Sequence, residues 1–155
     1  LTIQPATVSD LDAVRTLFPE YANSLQVDLC FQGFEQELAT LPGKYAPPQG
    51  RLLIAKQHGE AAGCVALRHY REDVCEMKRL FVRPAFRGLG LGRDLAVRII
   101  AEAREAGYSE MVLDSLDRLH PALGLYQAMG FVETPPYYPN PLPGVVYRRL
   151  PLNDG

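Results

Sequence analysis

No stretch of this 155-residue sequence stays apolar for the roughly 20 residues that a helix needs to cross a bilayer. The opening residues, L-T-I-Q-P-A, lack the basic start and apolar run of a secretory signal. A cytoplasmic protein with no membrane partner is therefore expected. Charge of one sign is scarce as well: the net charge is −2, too little for a global basic field that would draw nucleic acid. Basic residues do gather between Lys78 and Arg104, which leaves room for a local anion site. Cysteine is sparse. Cys30, Cys64 and Cys75 are odd in number and lack C-x-x-C spacing, which argues against a disulfide framework and against a zinc site. Cys64 and Cys75 sit in strand-like apolar surroundings and read as small core residues. Internal repeats and interdomain linkers are also missing, so residues 1–155 are expected to form one domain.

The residues present alternate between two periods. Leu1 to Pro5 reads as a short strand, and Ser9 or Asp10 as the cap of a first helix with Leu11, Val14, Leu17 and Phe18 at helical spacing. Pro19 is expected to end or kink it. A second helix is expected from Phe31 to Leu41, with Phe34, Leu38 and Leu41 on one face. R-L-L-I-A-K, A-A-G-C-V-A-L-R-H-Y and V-C-E-M-K-R-L-F-V then read as three consecutive strands, with H-G-E as a hairpin turn. After Pro84 the period turns helical, with Leu95, Ala96, Ile99, Ile100 and Ala103 on one stripe and Gly107 just past the end. M-V-L-D makes a short strand. Asp117 is expected to cap a last helix that carries Leu123, Tyr126 and Met129 and stops at Gly130. F-V-E and V-V-Y-R-R-L supply two final strands around a proline-rich loop. The fold class is thus α/β of mixed α+β type: one sheet of about six to seven strands flanked by about four helices. The last strand is expected to leave an edge exposed, through which a second copy could pair as a homodimer.

The stretch R-P-A-F-R-G-L-G-L-G-R-D-L-A, residues 83–96, sets three alternating glycines between arginines where a helix begins. The first amides of a helix lack internal partners, the helix dipole adds positive character, and glycine lets a ligand approach the main chain closely. That combination suits phosphate, with Arg87 and Arg93 adding charge-assisted hydrogen bonds. A nucleoside-triphosphate loop would end in G-K-[ST], but Gly92 is followed by Arg93 and Asp94. A dinucleotide fingerprint would use Asp114 as its distant acid, yet its third glycine falls on Arg93 or Leu95, and R-P-A-F-R separates the strand from the glycines. A third option is a pyrophosphate carried on coenzyme A, and a glycine-rich turn that only caps the helix is the alternative to any phosphate ligand.

R-G-L-G-L-G, residues 87–92, matches the [Q/R]-x-x-G-x-[G/A] signature, and A-L-G-L-Y-Q-A-M-G-F, residues 122–131, matches A-x-x-L-Y-x-x-x-G-F. In these two motifs, and in its element order, the sequence resembles the GNAT superfamily of N-acetyltransferases. The resemblance implies acetyl-CoA as cosubstrate, direct transfer to a primary amine and no metal. It implies a donor site in which Leu80, Phe81 and Val82 offer main-chain groups to the pantetheine arm. Arg87, Gly88, Gly90, Gly92 and Arg93 would cradle the pyrophosphate. Tyr126 stands in the place of the general acid that protonates the departing thiolate. Glu76 is the candidate base, since an ordinary lysine-type amine has a pKa of about 10.4 and must lose a proton before it attacks. Apolar neighbours in V-C-E-M would desolvate it and raise its pKa toward a useful range. The competing reading is a solvated strand carboxylate paired with Lys78 or Arg68.

One departure stands out. Leu119 occupies a place where many relatives carry asparagine, leaving Ser115, Asp117 or His120 to compensate. For the acceptor, Tyr137, Tyr138 and Asn140 of P-P-Y-Y-P-N-P are expected to wall the pocket, and the prolines there would stiffen it at low entropic cost. A small-molecule amine such as an amino acid or a polyamine is the expected acceptor. The alternatives are a protein lysine or N-terminus, or a non-catalytic acyl-CoA binding module.

Overall fold

The period-two and period-3.6 stretches of the sequence become strands and helices in the expected order. The structure, a computed structural model, describes residues 1–29 and 32–152. Along the chain run β1 (Thr2–Pro5), α1 (Leu11–Leu25), α2 (Phe34–Ala39), β2 (Arg51–Gln57), β3 (Glu60–Arg71), β4 (Val74–Val82), α3 (Leu91–Glu105), β5 (Glu110–Leu116), α4 (His120–Ala128), β6 (Val132–Glu133) and β7 (Val145–Pro151). Among the described residues the strands form a seven-stranded sheet in the order β1-β2-β3-β4-β5-β7-β6. Every neighbouring pair is antiparallel except β4 and β5, which run parallel. This is the mixed α+β architecture that the sequence implied.

Alternate side chains of the central strands feed two cores. On one face Leu53, Val65, Leu67, Met77, Met111 and Leu113 pack against the α3 stripe of Leu95, Ala96, Ile99 and Ala103. On the other, Ile54, Cys64, Ala66 and Phe81 pack against Leu11, Val14, Leu17 and Phe18 of α1. Strands buried on both sides cannot tolerate a register slip, because a shift of one residue would exchange the two cores. Gly63 is held by the same closeness: a Cβ there would lie 2.5 Å from the Phe81 carbonyl oxygen. Cys64 and Cys75 are buried and free, and burial pushes both thiols up to about 12. They are core residues, as expected.

Four expectations need correction. Pro19 does not end α1, which runs through it to Leu25. An interior proline costs about 3 kcal/mol. Fully burying side chains such as Leu17 and Phe18 returns about 1.5–3 kcal/mol each, so packing outweighs the lost bond. The second helix is shorter than expected, Phe34–Ala39. It follows Gly33 in a left-handed conformation, and Pro42 drives Leu41 out of helical geometry. Cys30 and Phe31 lie outside the described residues. Asp117 does not cap α4. Its amide bonds the Gly144 carbonyl at 2.8 Å, and α4 starts at His120 because Pro121 presets the first turn. Finally, β7 does not have the free edge expected of it. It sits between β5 and β6, with Arg148 and Arg149 paired to Glu133 and Val132.

Candidate active site

The two parallel strands at the sheet centre part company. β4 and β5 pair only at Val74–Glu110, Cys75–Met111 and Glu76–Val112. Three residues further along β4, Arg79 adopts φ +63°, and the β3–β4 register shifts opposite it. Such a bulge bends the strand and sharpens its twist. Left-handed backbone costs a non-glycine residue roughly 1–2 kcal/mol. Here the Arg79 side chain offsets that cost: its guanidinium grips Glu37 through two bonds of 3.0 and 2.9 Å and stacks on Tyr21 and Phe34.

Beyond the bulge, Met77–Val82 and Leu113–Leu116 line a cavity of about 310 Å³. Leu119, Pro121, Ala122 and Tyr126 of the α4 region close one side, and Tyr21, Ser24 and Leu25 of α1 another. Leu80, Phe81 and Val82 all line it. Their side chains still alternate into the sheet's faces, Phe81 toward α1 and the other two toward α3. On the side facing β5 their main-chain groups have no strand partner, a state that calls for a ligand or water.

The glycine loop stands at the end of β4. Gly88 and Gly90 have φ of +83° and +77°, and α3 begins immediately after Gly90. The first bond of that helix is Asp94 N–H to the Gly90 carbonyl, at 3.0 Å. Among the described residues, nothing accepts from the amides of residues 88–93, and no side chain caps the helix. Arg87 donates through Nε to the Val82 carbonyl at 2.9 Å and lies over the Phe81 ring, so it braces the loop against β4. Arg93 is exposed. A row of unpaired amides at a helix start fits a diphosphate, and the open strand edges fit an extended arm carrying amide groups.

Tyr126 is buried on α4, edge-on to Phe131, and lines the cavity. Burial above all, with smaller contributions from Tyr21 and Asp114, holds its phenol above the ordinary tyrosine value. It thus keeps its proton throughout the neutral range.

Two carboxylates flank the splay, each held by a tyrosine of the proline-rich loop. Glu76, 2% exposed, is the last residue of β4 to pair with β5. Its Oε1 faces Arg68 at 3.2 Å and Lys78 at 3.9 Å, and its Oε2 accepts from the Tyr137 hydroxyl at 2.5 Å. It is both buried and ion-paired, and so combines features of the two readings drawn from sequence. Asp114 lies two residues beyond the last paired position of β5 and lines the cavity that holds Tyr126. Its Oδ2 accepts from the Tyr138 hydroxyl and from Asn140 Nδ2, the latter at 2.8 Å. Among the described residues, no hydrogen-bond donor reaches its Oδ1. Burial and the adjacent carboxylates raise both tyrosine phenols. The loop is pinned from below: Tyr70 donates to the Tyr137 carbonyl at 2.5 Å, and Tyr147 to the Tyr138 carbonyl at 2.8 Å.

Tyr137, Tyr138 and Asn140 therefore meet Glu76 and Asp114 at the mouth of the splay, while the residues of the glycine loop gather at its far end. Sequence reasoning weighed Asp114 only within a dinucleotide fingerprint. Its position at the end of M-V-L-D was visible, but not its contacts with residues 24 and 26 positions further on. Lys78 was also undervalued. It is 9% exposed, donates to Gln32 Oε1 at 3.0 Å, and burial lowers its pKa against the opposing pull of Glu76. Among the described residues, no cluster of three or more His, Cys, Asp or Glu is placed to hold a metal, and no helix is long and apolar enough to cross a membrane.

A model of the acetyltransferase (GNAT) family matches residues 13–131. An uncharacterized N-acetyltransferase of Schizosaccharomyces pombe is 49% identical over 146 residues, spanning 93% of this chain and 90% of its own. An acetyltransferase of the GNAT family from Staphylococcus aureus superposes with a TM-score of 0.80 at 18% identity, over 97% of this chain and 98% of its own. A protein of Salmonella typhimurium, solved with its cofactor acetyl-CoA, superposes with a TM-score of 0.70 at 23% identity, over 99% and 95% of the two chains.

Proposed function

This chain belongs to the acetyltransferase (GNAT) family, and from that premise we propose that it carries the acetyl group of acetyl-CoA to the primary amine of a small molecule. The observation that carries this reading is the row of acceptor-free amides at residues 88–93, set at the end of the splayed strand whose cleft contains Tyr126 and Asp114. When bound, acetyl-CoA supplies an acetyl thioester, a carbonyl carbon open to an amine with a thiolate as the leaving group.

In this reading the amides of Gly88, Gly90, Gly92 and their neighbours hold the diphosphate, with Arg93 adding charge and Arg87 keeping the loop in place. The main chain of Leu80, Phe81 and Val82 aligns the pantetheine arm along the open edge of β4. The Tyr126 hydroxyl gives its proton to the departing sulfur. Its raised pKa makes it a weak acid toward water but keeps it protonated for a thiolate generated beside it.

For the base, the geometry favours Asp114 over Glu76. Both oxygens of Glu76 are engaged, and it lies outside the cavity that holds Tyr126. Asp114 lines that cavity with Oδ1 free to take the ammonium proton of an incoming amine, directly or through water. Glu76 then acts as a positioning residue, fixing Tyr137 and standing as the shared counter-ion of Arg68 and Lys78.

A small acceptor is supported by the second cavity, about 430 Å³, which shares Gln32, Lys78 and Arg79 with the first. Tyr138 and Pro139 of the pinned loop close over it. That volume lies within the range of small-molecule sites, roughly 300–1,000 Å³.

Mixing the protein with acetyl-CoA and a panel of primary amines, with free thiol as the readout, tests the reading. Amine-dependent thiol release matched by N-acetylated product is expected. Coenzyme binding by calorimetry without release from any amine would identify a binding module, and release only with peptides would identify a protein acceptor.

A further inference from the structure

The charge inside the second cavity narrows the acceptor, given the transfer reaction proposed above. Five buried or half-buried cations and carboxylates on its wall sort into a closed set and an open one. Arg79 and Glu37 are closed: two bonds consume the guanidinium's fork, and aromatic rings cover it. Arg68, Lys78 and Glu76 are open, because two cations share one carboxylate. Arg68 spends only Nη1, at 3.2 Å from Glu76; its Nε is buried with no acceptor, and among the described residues none reaches Nη2. Lys78 spends one N–H on Gln32. A guanidinium held by one bond out of five is an unfinished ion pair, and these buried and half-buried groups carry a surplus of one positive charge, to which the exposed Lys44 on the same wall adds.

We infer that the acceptor is an amine that also bears a carboxylate, of amino-acid type, with the carboxylate received by Arg68 and Lys78 and the amine turned toward Asp114. Gln32, Lys78 and Arg79 line both cavities, and Tyr138, whose hydroxyl donates to Asp114, lines the second, so the anion-receiving wall and Asp114 adjoin. A single carboxylate cancels the surplus of the buried and half-buried set. A polyamine would bring further positive charge against it. Burial lowers the pKa of Lys78 against the opposing pull of Glu76, Asp114 and Glu37, so its ammonium is costly to bury and gains from a further anion beside it.

The test compares kcat/KM, by thiol release, for phenylalanine, phenylalaninamide and phenethylamine, for leucine and leucinamide, and for spermidine and O-phosphoethanolamine. The acids are expected to exceed their amides and the decarboxylated amine by at least about 30-fold, mostly through KM, the worth of one charge-assisted hydrogen-bonded contact. Arg68→Met should shrink the acid-to-amide ratio about tenfold or more, and Arg68→Lys should restore part of it. A wild-type ratio near one, or preferred turnover of spermidine, overturns this inference while leaving acetyl transfer standing. Preferred turnover of O-phosphoethanolamine replaces carboxylate by phosphate and overturns it too. If none of these amines is acetylated although acetyl-CoA binds, both this inference and small-molecule transfer fail. Should Arg68→Met not fold, the acid-to-amide ratio of the wild-type protein still decides the matter.

Discussion

Replacing the two flanking carboxylates one at a time should give opposite signatures. Glu76→Gln leaves Arg68 and Lys78 with no counter-charge at a site where the carboxylate is 2% exposed. Breaking a buried pair by removing one partner costs about 3–5 kcal/mol. Arg68 is 26% exposed and can reach water, so the lower end, about 3 kcal/mol, applies here. For a domain of this size that corresponds to a fall in Tm of roughly 6–12 °C. Asp114→Asn should cost far less stability, about 1 kcal/mol, since an amide oxygen can still accept from Tyr138 and Asn140. It removes the anion that takes the amine's proton, however, and the expected loss in kcat is about 10²–10⁴-fold. Urea unfolding of both variants, with kcat/KM profiled against pH, measures the two effects. The reasoning fails if Asp114→Asn keeps the wild-type rate and pH limb, or if Glu76→Gln abolishes turnover with its stability intact.

Tyr126→Phe should bind acetyl-CoA normally and lose kcat by about 10²-fold or more, checked by calorimetry beside steady-state rates. Gly88→Ala combined with Gly90→Ala meets no atom within 4 Å of the new methyl groups, so packing cannot explain any loss. Holding both left-handed positions would cost roughly 1–2 kcal/mol each in stability. A loop that relaxes instead misaligns the amides, so acetyl-CoA affinity should fall tenfold or more, and unchanged affinity would refute the cradle. Pro19→Ala restores a helix bond in α1 and should raise stability, by up to about 3 kcal/mol in denaturant unfolding. Burial raises the native pKa values of Cys64 and Cys75, to about 12, and those of Tyr21 and Tyr45 as well. Over that window the native state keeps protons that the unfolded chain has released, so stability should decline as pH rises from about 8.5 toward 12. A flat unfolding midpoint across that range would contradict it.

Periodicity carried most of the architecture. The strand V-C-E-M-K-R-L-F-V and the stripe from Leu95 to Ala103 declare themselves because their apolar residues repeat at strand and helix spacing. Pro19 misled because local propensity is a weak force beside the burial of Leu17 and Phe18. The splay of β4 from β5 had no signal in the strand itself. It depends on Arg79 being drawn toward Glu37, 42 residues earlier, and residue types do not announce such pairings. For the same reason Glu76 stood out from its apolar neighbours while Asp114 did not. Its tyrosine and asparagine partners arrive on a loop that the chain reaches only after α4 and β6.

The pinned loop from 134 to 144 leaves and rejoins the sheet at its far end, through β6 and β7. Its length and side chains can therefore drift without disturbing the strands and helix start that would grip the donor. On the proposed reading, one end of the molecule is written in main chain and resists change, while the other is written in side chains and invites it. Relatives of this chain should then diverge in what they acetylate long before they diverge in what they acetylate with.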